Sequence, residues 1–180
     1  VEMPSQFNES FATIPEVFNH YARHTVTGAP MPEDLKARML ESINFQSAYA
    51  LGENLAATCL DLAWHVLPSS KVPNAAEAKA LKEVGLLNAQ ITPRYSTSYF
   101  NHAFGGGYAA GYYSYLWTEV LADNIAETFA HRGALDPAVG LDFRTKVLSK
   151  GNTRDLMQTF TDFTGLQSPD ASALLKARGL

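Results

Sequence analysis

Hydrophobic residues recur along this chain at helical spacing almost throughout, and no stretch shows the strict alternation of a half-buried strand. That pattern predicts an all-α fold. Helices are expected over 4–23, with Pro15 bending the run, and from Pro32-Glu33-Asp34 to about Ile43. The next is expected over 46–66, stopping at Pro68, and a short one over 75–84, capped by Asn74 and ended by Gly85. Residues 86–98 read as a loop containing Pro93, followed by a short helical piece around 97–104. A long helix is expected from about Tyr108 to His131, closed by Gly133, then shorter ones near 137–148, 153–164 and 169–177. With no repeat, low-complexity stretch or obvious linker, residues 1–180 read as one domain.

Composition supports a packed chain: 46% of the 180 residues are hydrophobic and 18% are charged. A net charge of −4 without a Lys/Arg run argues against nucleic acid and anionic membrane as partners. The stretch Tyr95–Thr118 lacks Asp, Glu, Lys and Arg, but Asn101, His102, three consecutive glycines and many tyrosines argue against a membrane span. The single cysteine, Cys59, permits no internal disulfide and reads as a buried, inert thiol. A cytoplasmic, reducing location is the simpler expectation, with an exported or periplasmic form as the alternative.

Two groups of residues can carry chemistry. Glu2, Gln6 and Glu9 fall at i, i+4, i+7, which stacks them on one helix face. Two carboxylates there can bind a metal or orient a metal ligand; equally, they can form a solvated acidic face. Tyr108, Tyr112 and Tyr115 have the same spacing, so three phenols would project from one side of the long helix, with His102 before it across Gly105-Gly106-Gly107. Phenols and an imidazole can donate hydrogen bonds to a developing oxyanion. The alternative is an aromatic core stripe whose hydroxyls reach the surface, although each buried hydroxyl needs a partner. The glycine run lacks the residues of a phosphate loop or a dinucleotide fingerprint, and suits conformational freedom or close approach to a ligand.

The segments Val1-Glu2-Met3-Pro4-Ser5-Gln6-Phe7-Asn8-Glu9 and His102-Ala103-Phe104-Gly105-Gly106-Gly107-Tyr108-Ala109-Ala110-Gly111-Tyr112-Tyr113-Ser114-Tyr115-Leu116-Trp117 resemble the thimet oligopeptidase family of zinc metallopeptidases. Pro93-Arg94-Tyr95, the triple glycine and the ending Lys176-Ala177-Arg178-Gly179-Leu180 resemble its bacterial peptidyl-dipeptidase (dipeptidyl carboxypeptidase) branch. The resemblance extends over essentially the whole chain. It implies the C-terminal helical part of the catalytic domain of a larger, mostly helical zincin-type enzyme. In that reading Glu2 is a zinc ligand and Glu9 a carboxylate that orients a zinc-ligating histidine. His102, Tyr108 and Tyr115 hold the substrate and stabilise the tetrahedral intermediate, Tyr112 lines the cleft, and Gly105, Gly106 and Gly107 form a flexible loop over the channel. Arg94 is a candidate cation for a peptide's terminal carboxylate, or a surface arginine.

None of the five histidines (His20, His24, His65, His102, His131) has the His-Glu-x-x-His spacing that the family uses for zinc. The resemblance places that motif upstream of Val1, in a missing N-terminal part of the same polypeptide. The chain alone is then expected to be inactive, to bind no zinc, and to expose an aromatic face with some tendency to self-associate. Short peptides are the expected substrates of the intact enzyme, cleaved to release C-terminal dipeptides. The alternatives are an endo-acting oligopeptidase of the same family and a non-catalytic helical peptide-binding module.

Overall fold

Apart from the long helix, the helices start within a few residues of where the sequence places them. A computed structural model describes residues 2–66 and 73–180, and among these the regular structure is helical, with one isolated antiparallel bridge, Arg23 to Pro30. The helices are α1 (Met3–Glu9), α2 (Pro15–Tyr21), α3 (Glu33–Ile43), α4 (Ser47–Val66), α5 (Pro73–Glu83), α6 (Asn101–Phe104), α7 (Ser114–Arg132), α8 (Pro137–Phe143), α9 (Leu156–Thr164) and α10 (Ala171–Ala177). Single 3₁₀ turns occupy Ser10–Thr13 and Thr97–Tyr99, and α8 runs into a wider π turn over Arg144–Leu148. Asp136, Asp155 and Asp170 cap α8, α9 and α10 by accepting the amides of Ala138, Gln158 and Ser172. The stop expected at Pro68 lies outside the described residues, and Asn74, expected before the helix as its cap, falls inside α5, which starts at Pro73. Among the described residues no helix is long and apolar enough to cross a membrane.

The long helix begins later than the hydrophobic spacing predicts. It starts at Ser114, and residues 108–113 form a turn-rich loop. Ala110 has φ +54°, outside the right-handed helical region. Tyr108 and Tyr112 therefore do not share a helix face with Tyr115, which alone of the three lies in α7.

Two units pack separately: Val1–Phe45 with Thr118–Leu180, and Gln46–Trp117. The first has a core of phenylalanine. Phe7 of α1 meets Phe129 of α7 and Phe143 of α8, each with ring centroids 4.9 Å apart. Phe163 of α9 closes on Phe129 at 5.5 Å and on Phe143 at 5.1 Å, and Ile125, Val139, Val147 and Phe160 complete the cluster. Edge-to-face and tilted geometries suit the ring quadrupoles and add to the burial of large apolar surface. Buried Asn124 joins α10 to α7: its side chain donates to the Asp170 carbonyl (2.8 Å) and accepts from the Asp170 amide (3.2 Å).

Candidate functional site

Phe7 anchors α1 in its unit, and this fixes the two carboxylates of the acidic face. Glu2 sits at the helix N-terminus, half-buried, and its Oε2 accepts from Ser5 Oγ at 3.2 Å. Glu9 ends the same helix and is exposed. Among the described residues no three His, Cys, Asp or Glu side chains converge on a point that can hold a metal ion. One carboxylate is short of the three or four protein ligands that zinc sites use. The donor set among the described residues therefore does not make a zinc site.

The other candidate residues lie in the second unit, in an aromatic cluster around Tyr112. The Tyr112 ring is buried and contacts Phe100 (5.0 Å between centroids), Tyr115 (5.2 Å), His102 (5.7 Å) and Tyr95 (5.8 Å). His102, on the single turn of α6, also packs on Tyr95 at 5.1 Å and on Tyr115 at 6.3 Å. The His102 Nδ1 is buried and makes no hydrogen bond, an expensive state for a ring nitrogen. Burial pushes the Tyr112 phenol above its usual pKa, and the hydrogen-bonded Arg94 guanidinium pulls the other way. Arg94 is exposed, with its guanidinium carbon 5.9 Å from the Tyr95 ring centre. Tyr108 is 61% exposed on the loop, and Tyr99, Phe104, Tyr113 and Trp117 are also well exposed.

Two glycines of the run have identifiable tasks. Gly107 has φ +77°, and a Cβ at Gly105 would lie 2.1 Å from Asn101 Oδ1. Cys59 is half-buried, not fully buried as expected, and burial raises its thiol pKa, which keeps it protonated and unreactive.

Two acidic residues organise this unit, and neither was singled out by motif or spacing. The carboxylate of Asp61 on α4 is fully buried. It accepts the amide of Ala110 at Oδ1 (3.1 Å) and that of Tyr112 at Oδ2 (2.9 Å), with His65 Nδ1 3.0 Å from Oδ1. Glu77 on α5 accepts the Thr97 amide (2.9 Å), the Thr97 hydroxyl (2.6 Å) and the Ser96 hydroxyl (3.1 Å). Trp64 Nε1 donates to the same Thr97 hydroxyl at 2.8 Å. Asp61 did leave a trace in the sequence: it is the only acid between Glu53 and Glu77, set within Leu60-Asp61-Leu62-Ala63-Trp64.

The sequence profile described as Peptidase family M3 matches residues 1–180. The chain belongs to peptidase family M3. This M3 chain is 43% identical over its whole length to a dipeptidyl carboxypeptidase of Escherichia coli. It is 34% identical to an oligopeptidase A of the same organism and 26% identical to saccharolysin of Saccharomyces cerevisiae, again along its whole length. It spans 27%, 27% and 25% of the length of those three relatives.

Proposed function

We propose that this M3 chain is the substrate-facing part of a zinc peptidase that removes C-terminal dipeptides from short peptides. The observation that carries the reading is the convergence of His102, Tyr112 and Tyr115 beside the glycine loop. The 43% identity to a dipeptidyl carboxypeptidase supports the choice of reaction. Tyr115 and His102 donate hydrogen bonds to the oxyanion of the tetrahedral intermediate, and exposed Tyr108 swings against the peptide from the loop. Preorganised donors of this kind stabilise charge as it develops in the transition state. Tyr112 shapes the wall behind them. Gly105, Gly106 and Gly107 let the loop close over the peptide, and Arg94 pairs with its terminal carboxylate.

Glu2 supplies one zinc ligand and Glu9 orients a histidine ligand; the remaining ligands and the general base come from the rest of the polypeptide. The isolated chain is therefore inactive. Zinc content and dipeptide release, measured on this chain and on the complete polypeptide, test the proposal. Both are expected only in the complete polypeptide. Peptide binding by the chain alone, with neither zinc nor hydrolysis in the complete polypeptide, would indicate a binding module instead.

The 34% identity to an oligopeptidase A favours a second reading, endo cleavage. Peptides with an amidated C-terminus separate the two. An enzyme that reads the free carboxylate loses them as substrates, whereas an endopeptidase cleaves them.

A further inference from the structure

The loop that carries Tyr108 and Tyr112 is bordered by glycines on its N-terminal side and leads directly into α7 at Ser114. Its own short-range bonds, Gly111 N to Tyr108 O (2.9 Å) and Ser114 N to Gly111 O (3.1 Å), close local turns but do not fix the loop against another element. Asp61 supplies long-range bonds to the loop backbone, reaching the amides of Ala110 and Tyr112 from 49 and 51 residues away in sequence.

A fully buried carboxylate is a costly group to keep, and replacing such groups by apolar ones is often neutral or stabilising. Here it accepts two backbone amides, and the His65 ring nitrogen that lies 3.0 Å from it hydrogen-bonds the Asp61 carbonyl oxygen at 2.7 Å. The carboxylate also holds Ala110 at φ +54°, a conformation that an alanine does not favour. The group that sustains this backbone shape is bonded to the loop that bears Tyr108 and Tyr112.

We propose that Asp61 is a positioning residue for the peptidase site: its carboxylate clamps the amides of Ala110 and Tyr112, and so sets where Tyr108, Tyr112 and Tyr115 stand. This rests on the peptidase reading above. A side chain that acts only by placing oxyanion donors affects the transition state more than the bound substrate, because a small misplacement of such donors is felt chiefly in turnover.

The test is Asp61→Asn in the complete polypeptide. The amide keeps the size of the side chain but presents one NH₂ where a second acceptor is needed. With a short peptide, kcat is expected to fall at least about tenfold while KM changes less than about threefold. Hydrogen exchange at the Ala110 and Tyr112 amides is expected to quicken about tenfold or more, with the Ile125 amide still protected. A kcat within twofold of wild type, despite faster exchange, overturns the positioning role; unchanged exchange overturns the clamp itself. Should Asp61→Asn lose the fold, Asp61→Glu decides, since it keeps a charged double acceptor but shifts it by one methylene. Reduced kcat at constant KM supports positioning, and kcat within twofold overturns it. A wild-type polypeptide without peptidase activity overturns the functional reading instead, and amide exchange alone then decides on the clamp.

Discussion

The two units of this chain solve the same packing problem with different chemistry. Around Phe7, Phe129, Phe143 and Phe163 the interior is almost wholly apolar, and the helices are held by ring-on-ring burial. Around Tyr112 the interior brings three phenols (Tyr95, Tyr112 and Tyr115) beside Phe100, with a histidine at its edge and carboxylates on α4 and α5 that bind loop backbone. Apolar burial is non-directional and tolerates small shifts. Hydrogen bonds to buried carboxylates are directional and costly to break, so they fix a loop in one arrangement. The first unit is built for stability and the second for placement of side chains.

The sharpest way to break this contrast is Phe129→Ala. Phe129 touches Phe7, Phe11, Phe143 and Phe163, so its truncation should cost about 3–5 kcal/mol in denaturant unfolding. A loss under about 1 kcal/mol would mean that the phenylalanine core is not what holds the first unit.

Tyr115→Phe probes the second unit. It removes a hydroxyl and little packing, so stability should stay near wild type. In the complete polypeptide kcat should drop by about 10²–10³, equivalent to about 3–4 kcal/mol, with KM nearly constant. A large rise in KM at unchanged kcat would make Tyr115 a ground-state binding group.

Glu77→Gln should be milder. It weakens charge-assisted bonds to Thr97 and Ser96, each worth about 1.5–3 kcal/mol when charged, and leaves a neutral acceptor in place. A net loss of about 1–2 kcal/mol is expected, with faster amide exchange at Thr97. Exchange unaltered at Thr97 would show that Trp64 and the surrounding rings hold that segment without the carboxylate.

The smallest effect reverses sign. Asp123 on α7 has a buried Oδ2 without a hydrogen bond, and burial, reinforced by Glu119 and opposed by Arg178, raises its pKa to about 6. The folded form thus holds a proton that the unfolded chain releases at lower pH. Between pH ~4 and ~6 this group withdraws stability as pH rises, and above about pH 6 the penalty is constant. Asp123→Asn should therefore stabilise the chain at pH 7.5 by on the order of 1 kcal/mol, after allowance for screening, or roughly 2–4 °C in melting temperature. Melts at pH 4 should show little difference. Equal gains at both pH values would assign the effect to packing instead of ionisation.

Much of this molecule is legible in the sequence because its signals are local. The 3.6-residue period, Pro15 and Pro32, and Asp136, Asp155 and Asp170 before their helices all act within a turn or two of their own position. The acidic face of α1 and the membership of the M3 family were likewise readable from contiguous residues. What the spacing rule could not include was competition for backbone amides from a distant carboxylate. Tyr108, Tyr112 and Tyr115 have helical spacing, but Asp61 takes the amides of Ala110 and Tyr112, Ala110 turns to positive φ, and the helix waits until Ser114. The sequence alone determined that the regular structure is helical and where most of the helices lie. The tertiary structure decided where the phenols stand, because a hydrogen bond spanning 51 residues has no footprint in local periodicity.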